Sequence, residues 1–413
     1  MTDGPSGERG DNPFQGMPLF GDLARMLQQQ GPVAWDAGRQ LALSIASSGE
    51  TEPNVDPLRR ITFEQLTRVA DLHVTNVTGL STTVEGRPVE VVPVNRTQWA
   101  NQTLDDLRPL VEELAGSLGP KPSGPPGSEA HPTQHGAPGL DPEADGPDAW
   151  LSSLMQMLSP MMLGMTAGSL VGRLATRSFG QHEPPLPRPR RATVAVVVAN
   201  LDAFGREWSL DVDNLTLWVC LHELTYHAVM GVSHVRARLD ALLREWAAAF
   251  ATDPHGLENR LGDLEAAPGE DPMAGLQQLL SDPEVLLGAV RTPAQAELQP
   301  RLEALVCVIT GYVDHVMDRI GSTLISSYGM VTEAMRRRRV EASSADRFVE
   351  RLFGLELTQG RYDRGTAFID GIVERAGETA LDRLWASEAD LPTPAEVDAP
   401  GLWLARIDLP PAT

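Results

Sequence analysis

The sequence is short of basic residues, and Lys121 is its single lysine. Of its 413 residues, 34 are lysine or arginine and 56 are aspartate or glutamate, giving a formal charge of −22 and a pI near 4.8. Nucleic-acid binding needs a basic surface that displaces phosphate counterions, and anionic membranes attract basic segments. We therefore expect no nucleic acid and no membrane among the partners. The run Arg336–Arg339 is interpreted as a solvated or ion-paired structural element.

Cysteine is also scarce, since only Cys220 and Cys307 occur in the chain. Two cysteines form no disulfide framework and suit a reducing compartment. The N-terminus shows no basic segment followed by an apolar core, so no secretory signal is predicted and the expected location is cytoplasmic. Glycine-rich phosphate-binding motifs, the Gly-X-Ser-X-Gly elbow and Cys-X-X-Cys pairs are missing as well. The enzyme classes that depend on those motifs are therefore not indicated.

The composition changes along the chain and predicts four parts. Residues 1–15 are polar and glycine-rich, which indicates a disordered arm, and residues 16–118 have the spacing of an N-terminal helical region. Residues 119–147 contain eight prolines and six glycines. Such a segment buries too little apolar surface to offset its ordering entropy and is predicted as a disordered linker. Residues 148–413 are predicted as a second helical domain, and the fold class as mainly α (α+β) with a few short strands.

Apolar spacing predicts the helices of the N-terminal region. They are expected at Trp35–Ala46, Pro57–Thr75 and Arg96–Leu118. In the second of these helices, apolar side chains recur at helical spacing and are the candidate core positions. These positions are Ile61, Leu66, Val69 and Leu72.

Runs of β-branched residues predict two short strands, Val89–Val94 and Ala192–Ala199. Pro93 has no N–H group to donate, which favours an edge position for the first strand. Farther along the chain, Asn214 is predicted to cap a helix that starts near Leu215.

The segment Ala149–Gly172 contains no charged residue and could be a transmembrane helix by length. Pro160 and several polar residues within it favour a buried helix of a water-soluble fold instead. Three glycines four residues apart, at Gly164, Gly168 and Gly172, would admit a close neighbour.

The stretch Trp218–Met230, written WVCLHELTYHAVM, carries the residues with the clearest chemistry. His222 and Glu223 form the first half of the zinc-hydrolase motif His-Glu-X-X-His. In that motif two histidines on one helical face share a zinc ion, and the glutamate acts as general base for the bound water. Here Tyr226 occupies the position of the second histidine, and His227 follows one residue late.

Helical geometry separates the candidates for a second ligand. At about 100° per residue, Tyr226 lies about 40° from His222 and on the same face. His227 lies about 140° from His222, so the two histidines could share a metal only if a π-bulge lay between them.

The chain resembles an actinobacterial family of zinc-dependent metalloproteases, which are hydrolases and minigluzincin-like. The resemblance spans most of the chain and rests on segments that occur in the same order. These segments are GPVAWDAGRQLA, VADLHV, VNRTQW, LVGRLA, GQHEPPLP, VVVANLDAF, WVCLHE, GYVDHVMDRIG, LFGLELTQGRYDRGTAF and DLPTPAEVDAPGLWLARI. The resemblance implies a multi-helical, zincin-like (gluzincin-like) domain that contains the HELTYH and GYVDHVMD helices.

The resemblance also implies roles for individual residues. His222 matches the first zinc ligand and Glu223 the general base, whereas Tyr226 falls at the second ligand and Thr310 at the third, a glutamate in the family. Asp314 matches the acidic residue that accepts a hydrogen bond from the first histidine. Threonine has no charge to offer zinc, and a tyrosine with an ordinary pKa of about 10 is a weak ligand at neutral pH. The resemblance therefore implies a degenerate metal site.

Three hypotheses follow from the sequence. The first is a pseudo-metallopeptidase with a degenerate metal site, which binds a peptide or protein ligand or regulates another protein. The second is an active metal-dependent peptidase that uses His222, His227 or Tyr226, and Asp314, with Glu223 as general base. The third is a helical interaction protein without catalysis. Zinc is the one cofactor that any of them involves.

Overall fold

The computed structural model describes residues 31–118, 147–250, 292–341, 350, 352–355 and 358–409. The predicted arm and the predicted linker, except for Pro147, lie outside these residues. The described chain is mainly helical with one small sheet, so the predicted fold class is confirmed. In chain order the principal elements are α1 (Trp35–Ala46), α2 (Pro57–Thr78), β1 (Glu90–Val94), α3 (Arg96–Leu118), α4 (Pro147–Ala175), β2 (Thr193–Val197), α5 (Val198–Glu207), α6 (Val212–Gly231), α7 (Ser233–Ala248), α8 (Pro293–Leu324), α9 (Tyr328–Val340), α10 (Gln359–Ala376), two 3-10 helices (Glu378–Trp385 and Glu388–Asp390), α11 (Pro394–Val397) and α12 (Pro400–Asp408).

The two strands form a parallel sheet whose register begins with Glu90 opposite Thr193. Both strands of such a sheet are edge strands, which accommodates Pro93 as predicted. β1 precedes the predicted linker and β2 follows it, so both predicted regions contribute to one sheet. β2 ends earlier than predicted because α5 begins at Val198.

The glycine row of α4 packs directly against α1. A Cβ atom on Gly168 would collide with the backbone carbonyl of Gly38, and one on Gly164 would collide with that of Ala34. The prediction that these glycines admit a close neighbour is therefore confirmed. No helix in the described part of the chain has both the length and the hydropathy needed to cross a bilayer.

Replacing Gly168 with alanine should lower the free energy of unfolding by about 1–3 kcal/mol, because backbone atoms cannot move aside as a flexible side chain can. Gly116→Ala in α3 is the matched control, since a Cβ there meets no atom within 4 Å. The control should be neutral or stabilising by up to about 1 kcal/mol. Equal effects of the two changes in urea denaturation would contradict the close packing of α1 on α4.

Helix α2 buries a different face from the predicted one. Ile61, Val69 and Leu72 are exposed, and Leu66 is half-buried. The prediction that Ile61, Val69 and Leu72 are core positions was therefore wrong. The cause is that α2 has apolar side chains on two opposite faces. The inner face includes threonine and alanine, which count little when a helix face is predicted from the spacing of large apolar residues. The buried positions are Phe63, Thr67, Ala70, Val74 and Thr78.

The start of α6 also differs from the prediction. Asp211 is the N-cap, and its Oδ1 accepts a hydrogen bond from the backbone N–H of Asn214 at 2.8 Å. Asn214 therefore lies inside the first turn, and its side-chain amide reaches the hydroxyls of Ser326 and Ser327 at 3.1 Å. The sequence offers two good capping residues three positions apart, and the earlier one begins the helix.

Helix α6 lies at the centre of the fold. Most of its residues are buried, as expected for a helix that is apolar on all sides. It packs against α2, α8, α7 and the sheet. The chemistry-bearing stretch is thus surrounded by other elements.

Candidate functional site

Three aromatic side chains, one helical turn apart, follow one face of α6. The ring of Trp218 stacks on His222, with centroids 4.9 Å apart and planes at 17°. The ring of Tyr226 meets His222 edge-on, with centroids also 4.9 Å apart. His222 and Tyr226 therefore share a face, as the helical spacing predicts.

Glu223 is buried, with 1% of its surface exposed, and its carboxylate faces the loop between α4 and β2. Its Oε2 accepts hydrogen bonds from the backbone N–H groups of Gln181 at 3.0 Å and His182 at 3.1 Å, and from Nδ1 of His182 at 2.8 Å. A Cβ on Gly180 would overlap the carboxylate, so only glycine permits this approach. Glu223 thus anchors the loop to α6.

The ionisation of Glu223 follows from these contacts. Burial alone raises the pKa of its carboxyl group, but the charge and hydrogen bond of His182 and the adjacent His222 outweigh that effect. The pKa is held well below its usual range. The carboxylate is therefore ionised at neutral pH. Its Oε2 is occupied by three donors of the loop, and its Oε1 lies 3.5 Å from Nδ1 of His222.

His182 is a site residue that carried no assigned role in the sequence. Besides binding Glu223, its ring lies parallel to that of Tyr226 with centroids 5.8 Å apart, and edge-on to His227 at 6.3 Å. It belongs to the GQHEPPLP segment and lies 41 residues before Glu223. No local spacing rule connects residues at such a separation.

His227 faces away from His222, because α6 is a regular α-helix across both positions. It is 4% exposed, and its Nε2 has no hydrogen-bond partner. Burial, with smaller contributions from the nearby His182 and Arg190, lowers its pKa to about 3. His227 is therefore neutral at physiological pH.

Thr310 is buried in the middle of α8 and is satisfied within its own helix. Its hydroxyl lies 2.9 Å from the carbonyl oxygen of Val306 and 3.1 Å from that of Cys307. The next residue, Gly311, packs so closely on Gly365 of α10 that a Cβ would collide with that backbone. α8 and α10 thus pack closely beside Thr310, whose hydroxyl is bonded within α8.

Asp314, one turn later, is bound by an arginine. Its two oxygens accept hydrogen bonds from Arg339 at 2.8 Å each, and the guanidinium lies 4.3 Å from the ring centre of Tyr362. Burial, followed by the nearby Tyr362 and Asp314, raises the pKa of Tyr226 well above 10. Tyr226 therefore carries a neutral phenol, and Asp314 of α8 lies near enough to contribute to its raised pKa.

Three of the four arginines in the run on α9 form ion pairs and Arg336 is exposed, in line with the prediction of a solvated or ion-paired element. Arg337 pairs with Glu333 on the same helix at 2.8 Å, and Arg339 pairs with Asp314. Arg338 pairs with Glu183, the residue after His182. Helix α9 thus fixes the loop that carries His182.

A second buried network, also missed in the sequence, supports the same loop from α3. Asp106 is inaccessible to solvent and pairs with Arg188 at 3.4 Å and with Arg191. The Arg188 guanidinium lies 5.3 Å from the ring centre of Trp99 and donates to the hydroxyl of Thr103 at 2.9 Å. Nε and Nη2 of Arg188 have no partner, so Asp106 is the main compensation for this buried charge.

The predicted ligand positions do not assemble a metal site. In the described ranges, no group of three or more histidine, cysteine, aspartate or glutamate side chains is arranged to hold a metal ion. His222 and Tyr226 are adjacent, whereas Glu223 and Asp314 bind other partners and His227 lies on a different face of α6. The arrangement supplies an aromatic face on α6, and the Asp314–Arg339 ion pair lies near enough to influence the pKa of Tyr226.

Comparisons with known proteins place this arrangement in a family. A crystal structure of "a putative hydrolase with a novel fold" from Chloroflexus aurantiacus matches with a TM-score of 0.60 and 20% identity, covering 92% of this chain and 99% of that one. At that identity the likeness shows the fold alone. No curated protein matches the chain. The model of a family described as zincin-like metallopeptidase matches residues 33–404. The chain therefore belongs to the zincin-like metallopeptidase family.

Proposed function

We propose that this protein is a pseudo-metallopeptidase, which keeps the family's fold and uses it to bind a peptide or protein ligand without zinc-dependent hydrolysis. The observation that carries the proposal is the state of Glu223. A general base must reach the water that it activates. The Glu223 carboxylate is buried and holds three donors of the 180–182 loop instead.

The side chains at the ligand positions support the same proposal, because they do not fit a catalytic zinc. Such a site needs three protein ligands. Of the family positions only His222 offers one, since Tyr226 is a neutral phenol and the Thr310 hydroxyl is bonded within α8. Loss of one residue that only hydrogen-bonds a metal ligand already lowers metal affinity or activity by about 10–100-fold. Loss of two direct ligands should cost far more.

Metal analysis of the full chain tests the proposal. Protein purified without chelator and equilibrated with zinc should carry well below one ion per chain, and His222→Ala should not change that content. The double variant Tyr226→His plus Thr310→Glu should gain zinc, because His222 and position 226 share one helical face. Variants that carry only one of the two changes are the matched controls.

Stoichiometric zinc in the parent protein that disappears in His222→Ala would overturn the proposal. In that case the protein would be a metal-dependent peptidase. Hydrolysis of a peptide library by the parent chain, abolished by the same substitution, would lead to the same conclusion.

A further inference from the structure

Helix α2 presents a row of apolar side chains to solvent on the side opposite to the core. Leu58 is 69% exposed, Ile61 51%, Val69 40% and Leu72 59%. Gln65 lies between them and is also exposed. Single exposed apolar residues are normal, but four on one face of one helix, interrupted only by Gln65, mark an interaction surface. We call these five residues the α2 stripe.

The spacing of the α2 stripe makes it straight. Its members are separated by three, four, four and three residues, so that Leu58 and Val69, and likewise Ile61 and Leu72, are eleven residues apart. An eleven-residue repeat corresponds to about 3.67 residues per turn, which keeps the row nearly parallel to the helix axis. Over fourteen residues the row is about 21 Å long. A second helix could lie along its whole length.

The order of spacings is the same when the row is read from either end. The row is therefore complementary to itself in an antiparallel orientation, which favours a second copy of this chain as the partner. We propose that the α2 stripe binds the α2 stripe of a second copy of this chain in an antiparallel pair, with a two-fold axis at Gln65. The axis places Leu58 against Leu72 of the partner subunit and Ile61 against Val69 of the partner subunit. Each contact then occurs twice, as an isologous interface requires.

The charges beside the stripe are complementary under the same axis. Glu64 and Arg68 border one edge of the stripe, are both exposed, and form an ion pair within the helix. In an antiparallel pair with its axis at Gln65, Glu64 lies about 3 Å along the helices from Arg68 of the partner subunit, and the same attractive contact occurs a second time by symmetry. Glu64 lies equally far from Glu64 of the partner subunit, so two attractive contacts outweigh one repulsive contact. Exposed ion pairs contribute little free energy, but they favour this orientation over a parallel one, in which like charges would meet.

The size of the surface sets the expected strength. One helix pair of this length buries less than the roughly 1,600 Å² of a standard stable interface. The dimer should therefore be reversible, with a dissociation constant in the micromolar range, and should depend on protein concentration. This inference is independent of the proposed function, because no residue of the α2 stripe belongs to the candidate site.

Sedimentation velocity of the full chain over a series of concentrations tests the proposal. The parent protein should shift from monomer to dimer as the concentration rises, and Leu58→Glu plus Leu72→Glu should remain monomeric with an unchanged thermal melt. Leu402→Glu is the matched control, because Leu402 on α12 is 59% exposed. A parent protein that stays monomeric throughout would overturn the proposal, as would a dimer that survives the double substitution.

Cysteine cross-linking tests the axis itself, because Cys220 and Cys307 are both buried. Gln65→Cys should form a disulfide-linked dimer under mild oxidation. Leu58→Cys alone should not, since the two copies of that position lie about 21 Å apart along the helices. A mixture of Leu58→Cys and Leu72→Cys proteins should cross-link. Efficient linkage of Leu58→Cys to itself would overturn the antiparallel arrangement.

Charge reversal gives a third, independent measurement. Glu64→Arg should weaken the dimer, because it makes both contacts with Arg68 of the partner subunit repulsive. Adding Arg68→Glu should restore the parent affinity. A double variant as weak as the single one would contradict the proposed pairing.

Discussion

Glu223→Gln should lower the free energy of unfolding by about 2–4 kcal/mol, because it removes a buried charge that holds three donors. All three donors bind Oε2, so the glutamine oxygen can still accept from them, but each hydrogen bond would be weaker without the negative charge. Urea denaturation at neutral pH, followed by tryptophan fluorescence, measures the change. A large loss would identify Glu223 as the residue that ties the loop to α6.

The control for Glu223 is the same substitution at Glu333. Glu333 pairs with Arg337 one turn away on α9, where both side chains are about half exposed. Its replacement should change the free energy of unfolding by less than about 0.5 kcal/mol. A Glu223→Gln protein that unfolds like its parent but has lost a peptidase activity of the parent would show that Glu223 acts as general base instead.

At acid pH, the free energies of unfolding of the parent and of Glu223→Gln should become more similar. The folded pKa of Glu223 is depressed, so its contribution to stability is present above the unfolded-state value of about 4.3 and is lost as the pH falls further. The variant lacks this titration. The gap in unfolding free energy between the two proteins should therefore be widest near neutral pH and should shrink below about pH 4.5.

Helices and strands with one dominant pattern were predictable from the sequence. Trp35–Ala46 and Arg96–Leu118 have the predicted bounds, and the glycine row of α4 meets α1 as its spacing indicates. Local chain geometry determines these features, so neighbouring residues carry the information. Helix α2 shows the limit of prediction from apolar periodicity. Periodicity identifies an apolar face, but it does not say whether the core or another subunit covers that face.

The candidate site was predictable only within α6. The common face of His222 and Tyr226 follows from helical spacing, whereas the partner of Glu223 does not. His182 reaches Glu223 from 41 residues away, and Arg188 reaches Asp106 from 82 residues away. Such contacts depend on how the loop before β2 folds over α6 and α3. The sequence shows that a residue is charged, but it does not identify which of many residues of opposite charge will pair with it.

Asp106→Asn should be among the most destabilising single changes in the chain, with a loss of about 3–5 kcal/mol in the free energy of unfolding. Asp106 is inaccessible to solvent and is the carboxylate that compensates the buried Arg188. Without it, the guanidinium would keep its contact with Trp99 but would lack a counter-charge. Asp105→Asn is the control at the adjacent position. Asp105 pairs with Arg39 at the surface, so that change should stay within about 0.5 kcal/mol.

A double substitution separates the cost of an unpaired charge from the loss of packing. Asp106→Leu plus Arg188→Met removes both buried charges and keeps similar volume against Trp99. Breaking a buried pair is costly because one charge is left behind, whereas an apolar replacement of both partners is often neutral. The double variant should therefore be more stable than Asp106→Asn. Arg191 is partly exposed and can turn to solvent in both proteins. If the double variant were no more stable than Asp106→Asn, the network would act through its hydrogen-bond geometry, and charge compensation would not explain the loss.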